Sequence, residues 1–154
     1  MSEIVVQKFG GTSVGTVDRI DSVAEIIKNA SKSNQIVVVV SAMGGETNRL
    51  VDLAKAFGDD PDKREFDALV STGETVSSAL LTMALHSKGI KAKSFSASQI
   101  SMRTTSSYSK AKILDVDAKK ILDVIDSDTI PIITGFQGVT EGGDVTTLGR
   151  GGSD

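Results

Sequence analysis

The N-terminal stretch Lys8-Phe9-Gly10-Gly11 has residue types that suit a phosphate-binding turn. A short β-type run precedes it and a helical pattern follows it, so it lies between a strand and a helix. Adjacent glycines let the backbone turn tightly and approach a ligand closely. We expect the amides after them to form the first turn of a helix, where N–H groups without partners and the helix dipole favour an anion. A plain turn that contains Gly-Gly is the alternative interpretation.

Two well-known phosphate motifs are absent from the sequence. There is no G-x-x-x-x-G-K-[ST], which excludes a P-loop, and no G-x-G-x-x-G after the first strand, which excludes the dinucleotide fingerprint. A phosphate held at Lys8 would therefore be bound by a different arrangement, in which the lysine comes before the glycines.

Three later segments contain further candidate residues. The loop of small residues after the second apolar run contains Ser41 and Thr47, again at the carboxyl end of a predicted strand. Glu74 lies among small residues within a helical stretch, which leaves room for a ligand, although most such glutamates are solvated. Near the end of the sequence, Arg150 offers a forked cation that suits a carboxylate, and Ser153 is a helix-capping residue type.

The apolar pattern predicts an α/β fold that positions these segments. Strands are predicted at residues 4–7, 36–40, 91–95 and 130–134, with helical patterns between them. The run 36–40 is apolar on both faces, which is typical of a parallel strand covered by helices on both sides. We expect Thr16 to cap the first helix, Pro61 to open a later one, and residues 141–144 to form a hairpin turn.

The composition excludes several classes of protein. The 154 residues carry a formal net charge of −3, which gives no indication of binding to nucleic acid or to an anionic membrane. With no cysteine and one histidine, the chain has no disulfide and no thiolate or histidine-rich site, and we predict no metal site. The longest aliphatic run is too short to span a bilayer. Because the N-terminus lacks a signal-peptide pattern, we expect a cytoplasmic protein.

Five segments, taken together and in order, resemble the aspartokinases of the amino acid kinase superfamily. They are Lys8-Phe9-Gly10-Gly11-Thr12-Ser13, Val40-Ser41-Ala42-Met43-Gly44, Ser71-Thr72-Gly73-Glu74, Gly135-Phe136-Gln137-Gly138 and Leu148-Gly149-Arg150-Gly151-Gly152-Ser153-Asp154. No single segment is decisive, but the first and last are together highly specific for aspartokinases over their relatives. The resemblance runs from residue 3 to residue 154.

This resemblance implies an activity and its substrates. Aspartokinases phosphorylate the β-carboxylate of L-aspartate with ATP and Mg²⁺, giving 4-phospho-L-aspartate, the first step toward lysine, threonine and methionine. The implied partners are L-aspartate and ATP, with no nucleic acid and no membrane, and the implied assembly is a homo-oligomer.

The resemblance also implies a role for each motif residue. Lys8, Phe9, Gly10 and Gly11 would meet the ATP phosphates, with Lys8 catalytic. The aspartate side would contain Ser41, Thr47, Glu74, Arg150, Gly151, Gly152 and Ser153. Among these, Glu74 would face the α-ammonium group and Arg150 the α-carboxylate. Asp154 would be catalytic by holding the lysines of the site in place.

The chain departs from the aspartokinase pattern in one respect, which is its length. The sequence stops on a helix-start signal, and aspartokinases continue with the rest of the ATP site and with regulatory domains. Residues 1–154 are therefore interpreted as the N-terminal, amino-acid-binding part of an amino acid kinase domain. The expected fold is a three-layer α/β/α sandwich with a mostly parallel central sheet, incomplete at its C-terminus. Alone, such a chain is expected to self-associate and to be inactive.

Two other functions remain open from the sequence. One is a non-catalytic module that binds an amino acid or supports assembly without a nucleotide half. The other is a carboxylate kinase of the same superfamily that acts on glutamate or acetylglutamate, although the motif at residues 150–154 argues against it.

Overall fold

The computed structural model describes residues 3–149 and 151–154, and its elements alternate between strands and helices. In chain order they are β1 (Ile4–Phe9), α1 (Val17–Ala30), β2 (Gln35–Val40), α2 (Glu46–Ala54), a 3₁₀ turn (Lys55–Phe57), α3 (Lys63–Val70), α4 (Thr72–Ser87), β3 (Ala92–Phe95), β4 (Arg103–Thr104), β5 (Ile113–Asp115), α5 (Ala118–Asp126), β6 (Ile130–Thr134), β7 (Gln137–Val139) and β8 (Val145–Thr147).

The central sheet has four strands in the order β1-β2-β6-β3, and all of its pairings are parallel. On one face, Ile36, Val38 and Val40 of β2 pack in one cluster with buried residues of α1 and α4. On the other face, Val37 packs with Ile125 of α5. The predicted strand that is apolar on both faces is therefore confirmed, and so is the three-layer α/β/α arrangement.

Helix α1 is specified by its cap and by its apolar spacing. Thr16 has an extended backbone, and its side chain accepts a hydrogen bond from the Arg19 amide at 3.2 Å. The buried residues Ile20, Val23, Ala24 and Ile27 recur at helical spacing and face the sheet. The predicted N-cap is confirmed, and such a cap contributes about 0.5–2 kcal/mol to helix stability.

Helices α3 and α4 differ from the prediction at their start and at their junction. Asp62 caps α3 by accepting from the Glu65 amide at 3.0 Å, so the helix begins at Lys63, and the expectation that Pro61 opens it is wrong. Only Ser71 separates α3 from α4, and this places Glu74 in the first turn of α4. The apolar spacing in the sequence is interrupted at residues 71–74 and favours a break there, but the chain is helical from Thr72 onward.

Together these two helices form one long apolar segment, Lys63–Ser87. By length and composition it is the one helix of the described chain that could cross a membrane, with a mean hydropathy of 1.2 in its most apolar part. Half of that part is buried inside the fold.

A second, mixed sheet in the order β5-β4-β7-β8 was predicted only in part, through the hairpin turn at residues 141–144. Its strands are only two or three residues long, which is too short for an alternating pattern to be visible. The predicted turn between β7 and β8 is confirmed: the Thr140 amide donates to the Asp144 carbonyl at 2.8 Å, and Gly143 has a φ of +90°.

Candidate functional site

A cavity of about 610 Å³ opens at the carboxyl ends of β1 and β2. Ligands bind there in open parallel sheets, because the loops after neighbouring strands meet at this edge. Helices α2, α3 and α4 and the segment after β8 complete its walls. Of the predicted site residues, the described chain brings together Lys8, Gly11, Ser41, Thr47, Glu74, Gly151, Ser153 and Asp154 around the cavity.

The loops after β1 and β2 touch through their glycines. A Cβ atom on Gly11 would lie 3.1 Å from the Ala42 carbonyl oxygen, and one on Gly44 would lie 3.3 Å from the Gly11 carbonyl oxygen. Side chains at either position would push the two loops apart. The Ser41 amide also donates to the Phe9 carbonyl at 3.0 Å. The glycines therefore allow a close backbone contact that forms the floor of the cavity.

The Gly-Gly turn is not the first turn of a helix. Residues 11–14 form turns, and α1 begins only at Val17, because Thr16 rather than a glycine caps it. The expectation that the amides after the glycines belong to a helix terminus is therefore wrong. The turn is held by the Arg19 guanidinium, which donates to the Thr12 carbonyl at 2.9 Å.

Lys8 lies at the end of β1 beside the cavity, and its ammonium group forms an ion pair with the Asp154 carboxylate. The side chain of Lys8 is one-third exposed and that of Asp154 more than two-thirds exposed, so both are open to a ligand. Phe9 points elsewhere: it packs against the core cluster beneath α1 and α4. Neither Phe9 nor Gly10 lines the cavity, and their predicted phosphate contacts stay predictions.

Glu74 is the buried charge of this site, with only 3% of its surface exposed. One carboxylate oxygen, Oε1, accepts from the Ala42 amide at 3.2 Å. The other, Oε2, is buried and has no hydrogen-bond partner among the residues described. Burial raises the pKa of Glu74 to about 7, against the smaller opposite effect of its backbone hydrogen bonds. A cation that entered the cavity and paired with this carboxylate would favour its ionised form.

Gly73 lets α4 approach the β2 loop closely enough for this contact. A Cβ atom on Gly73 would lie 2.8 Å from the Cβ of Ala42, closer than side-chain carbons pack. The same loop is also held by Ser77, whose hydroxyl donates to the Ser41 carbonyl at 2.6 Å. Glu74 is thus aimed into the cavity by two contacts with residues 41–42.

Gly151, Ser153 and Asp154 of the C-terminal motif also line the cavity. The Ser153 hydroxyl accepts from the Phe136 amide at 2.8 Å and so supports a turn in which Phe136 has a φ of +65°. Gly152 faces the protein rather than the cavity, because a Cβ atom there would lie 2.7 Å from the Leu148 Cβ. Arg150, the predicted partner of a carboxylate, lies outside the described residues.

Two buried polar residues of this region were not predicted. Gln137 donates to the Ser71 carbonyl at 2.6 Å and accepts from the Thr134 hydroxyl at 2.8 Å, which ties the α3–α4 junction to the end of β6. Asp67 is completely buried and accepts hydrogen bonds from Ser109 and Thr147. In the sequence, Asp67 stands out only as a carboxylate at helical spacing from Val70, with which it shares the buried face of α3.

The described residues contain no group of three or more histidine, cysteine, aspartate or glutamate side chains that could hold a metal ion.

Comparison with known proteins gives a consistent set of relatives. A family model described as the amino acid kinase family matches residues 3–154. The aspartate kinase Ask_LysC of Stutzerimonas stutzeri (strain A1501) is 54% identical over 152 residues, which are 98% of this chain and 37% of that protein. The aspartokinase of Geobacillus stearothermophilus is 53% identical over 152 residues, with the same two coverages of 98% and 37%. The chain therefore spans little more than a third of the length of these relatives.

Solved structures share the fold. Escherichia coli aspartokinase III in complex with aspartate and ADP superposes with a TM-score of 0.87 at 27% identity, over 98% of this chain and 44% of that chain. The aspartate kinase from Synechocystis gives a TM-score of 0.81 at 43% identity, over 99% of this chain and 25% of that chain. An isopentenyl phosphate kinase, at 16% identity and a TM-score of 0.69, is similar in fold alone.

Proposed function

The chain belongs to the amino acid kinase family, and we propose that the protein carrying it transfers the γ-phosphoryl group of ATP to the β-carboxylate of L-aspartate. The products are 4-phospho-L-aspartate and ADP. Relatives at 54% and 53% identity are named aspartate kinase and aspartokinase. The observation that carries the proposal is the buried Glu74 carboxylate, which lines the same cavity as the Lys8–Asp154 ion pair.

Glu74 would bind the α-ammonium group of the substrate. An ammonium that entered the cavity would donate to Oε2, which has no partner elsewhere in the described chain. Hydrogen bonds to charged groups contribute about 1.5–3 kcal/mol, so this contact is large enough to select amino acids over simple carboxylic acids. Binding of the cation would also favour the ionised form of Glu74 and lower its pKa.

The two carboxylates of aspartate need separate partners. We assign the α-carboxylate to Arg150, because a guanidinium binds a carboxylate with two parallel hydrogen bonds. Gly151, Gly152 and Ser153, which come after Arg150 in the sequence, would border the same α-carboxylate. Ser41 and Thr47 line the same cavity as Glu74 and Lys8, and they would contact the side chain of aspartate.

Lys8 would act on the phosphoryl group. One oxygen of the β-carboxylate attacks the γ-phosphorus in line, and the bond from phosphorus to the β–γ bridging oxygen breaks, leaving with ADP. The attacking carboxylate is already ionised at neutral pH, so no general base is required. In such transfers, positioning and charge stabilisation supply most of the catalysis. Asp154 would hold the Lys8 ammonium in place, Gly10 and Gly11 would let the backbone approach the phosphates, and Mg²⁺ would enter with ATP as part of the substrate.

A non-catalytic amino-acid-binding module is the second candidate. It is favoured by the fact that Glu74, Ser41 and Thr47, which would bind an amino acid, do not involve a nucleotide.

We also propose the location, pathway and assembly of the kinase. It would be a cytoplasmic homo-oligomer that catalyses the first step toward lysine, threonine and methionine.

An assay that traps acyl phosphates tests the proposal directly. The protein, as its gene encodes it, is incubated with MgATP and hydroxylamine and with one of L-aspartate, L-glutamate or N-acetyl-L-glutamate. Hydroxamate and ADP that form in equal amounts with L-aspartate alone would support the proposal. Hydroxamate with glutamate or acetylglutamate instead would indicate another carboxylate kinase. Binding of L-aspartate by calorimetry without any ADP release would favour the non-catalytic module.

A further inference from the structure

The proposed reaction assigns no role to Asp67, a completely buried carboxylate on α3. It has a full set of partners. Its Oδ2 accepts from the Ser109 and Thr147 amides, each at 2.8 Å, and its Oδ1 accepts from the Ser109 and Thr147 hydroxyls at 3.0 and 2.9 Å. An ionised carboxylate is the one side-chain group that can accept four hydrogen bonds while donating none.

These hydrogen bonds join segments that are distant in sequence. Ser109 lies 42 residues from Asp67 in the loop before β5, and Thr147 lies 80 residues away at the end of β8. Both partners also line the cavity, together with Leu148. The chain continues from Leu148 directly into residues 149–154, the segment to which the proposed function assigns the α-carboxylate of the substrate.

On its other side, Asp67 is connected to Glu74. Helix α3 continues through Ser71 into α4, whose first turn contains Glu74. The Ser71 amide donates to the Asp67 carbonyl at 3.1 Å, and Gln137 donates to the Ser71 carbonyl at 2.6 Å. The junction between the two helices is therefore held rigidly, and a shift of Thr147 relative to Asp67 is also a shift relative to Glu74.

We propose that Asp67 is a positioning residue that sets the separation between the two groups that hold the α-carbon of the amino acid. One is Glu74, for the α-ammonium group, and the other is the C-terminal motif after Leu148, for the α-carboxylate. This inference rests on the proposed function. A small substrate held by two groups on one carbon atom tolerates little error, because a displacement of about 1 Å can cost about a hundredfold in rate. Loss of either acceptor oxygen would leave the buried Thr147 amide or hydroxyl without a partner and would release this end of β8.

The experiment is a comparison of steady-state kinetics in the protein as its gene encodes it. Asp67→Asn keeps the shape of the side chain but removes its charge and two of its four acceptor sites, so the Ser109 and Thr147 hydroxyls would have to accept from the new amide nitrogen instead of donating. We expect the KM for aspartate to rise about tenfold or more while the KM for ATP changes less than about twofold. Thr147→Val, which removes one hydroxyl donor, should shift the KM for aspartate in the same direction by a smaller factor.

Thr82→Val is the matched control. Thr82 is also buried, and its hydroxyl donates to the Ser78 carbonyl at 2.8 Å on α4, but it lies outside the cavity lining. This variant should leave both KM values unchanged. Circular dichroism establishes that each variant is folded at the assay temperature. If Asp67→Asn does not fold, the pair Ser109→Ala and Thr147→Val provides the same comparison.

Three outcomes overturn the inference: an unchanged KM for aspartate in the folded variants, an equal rise in both KM values, or a rise in the Thr82→Val control as well. Glu74→Gln, assayed beside them, separates this inference from the function on which it rests. If Glu74→Gln leaves the KM for aspartate unchanged, the proposed function fails. If Glu74→Gln raises that KM and Asp67→Asn does not, only the positioning role of Asp67 fails.

Discussion

Glu74 and Ala42 are joined by a 3.2 Å hydrogen bond from the backbone amide after β2 to the carboxylate in the first turn of α4. This bond satisfies Oε1, whereas Oε2 is buried and has no partner among the described residues. Oε2 is therefore the oxygen that is left for a cation to pair with. The same hydrogen bond links the loop after β2 to the residue that would bind the substrate.

Replacement of Glu74 should weaken aspartate binding selectively. Glu74→Gln removes the charge while keeping the shape, and we expect the KM for aspartate to rise about tenfold or more, because a charge-assisted hydrogen bond is lost. Arg150→Ala should have an effect of similar size, because it removes the proposed partner of the α-carboxylate. The control is Glu46→Gln, whose carboxylate pairs with Arg49 on the surface of α2 and should matter little. Steady-state kinetics in which both Glu74→Gln and Arg150→Ala keep the normal KM would refute the assignment.

The raised pKa of Glu74 predicts a pH dependence for binding. The group has a pKa of about 7 in the folded, ligand-free protein, against a usual value of 4.5. Since an ammonium pairs with the ionised form, the affinity for aspartate should rise about tenfold per pH unit below pH 7 and level off above it. Calorimetry in buffers of different ionisation enthalpy should show release of a proton on binding at pH 6. Binding that is independent of pH between 5 and 7 would contradict this expectation.

The same pKa makes a prediction for stability, with a defined sign. Because burial raises the pKa of Glu74 in the folded state, the folded protein binds more protons than the unfolded chain between pH 4.5 and about 7. The contribution of this group to the free energy of unfolding is therefore fully present below pH 4.5 and is lost as the pH rises through 7. Urea unfolding of Glu74→Gln across this range should lack that decline. If the free energy of unfolding declined equally in the wild-type protein and in Glu74→Gln, the decline would come from other groups.

Lys8 should affect the rate of the reaction more than binding. Lys8→Ala removes a positive charge that would matter most in the transition state, so kcat should fall by about two to three orders of magnitude. Lys8→Arg should restore part of the activity only, because a planar guanidinium does not replace a compact ammonium. Lys32→Ala, at an exposed lysine bonded to Asn29, is the control for loss of a surface charge. A near-normal kcat in Lys8→Ala would restore the interpretation of a plain Gly-Gly turn.

Gly73 should be required for the contact between α4 and the loop after β2. In Gly73→Ala the new methyl carbon would lie 2.8 Å from the Ala42 Cβ, so the helix must move and carry Glu74 with it. We expect a net loss of stability of about 1–3 kcal/mol, despite the better helix propensity of alanine, together with a higher KM for aspartate. Gly142→Ala is the matched control, because its nearest neighbouring atom would be 3.8 Å away. Equal stability of the two variants in urea unfolding would disprove the steric argument.

Local patterns predicted the central sheet, and the motif resemblance pointed to eight of the twenty residues that line the cavity. The apolar run of β2 defines a covered parallel strand, and motifs that follow parallel strands meet at one edge of the sheet. The motif resemblance is confirmed by the family match and by the aspartokinase relatives. Errors arose at the starts of helices: the amides directly after the glycines were expected to be helical although the predicted cap Thr16 comes later in the chain, and Asp62 rather than Pro61 begins α3. Asp67 was missed because its partners lie 42 and 80 residues away, and no local pattern indicates them.

The exposed edge of the central sheet predicts self-association of the 154-residue chain. In the described sheet, β1 pairs only with β2, so its other edge offers backbone groups to a second chain. Ile4 and Val6 of this strand are 44% and 64% exposed, which adds apolar surface beside that edge. Light scattering should show oligomers that Val6→Lys shifts toward the monomer, since charged residues blunt a strand edge. Val17→Lys, at a residue that is 68% exposed at the start of α1, should not do so. A stable monomer at high protein concentration, or equal effects of the two lysines, would contradict the role of the β1 edge.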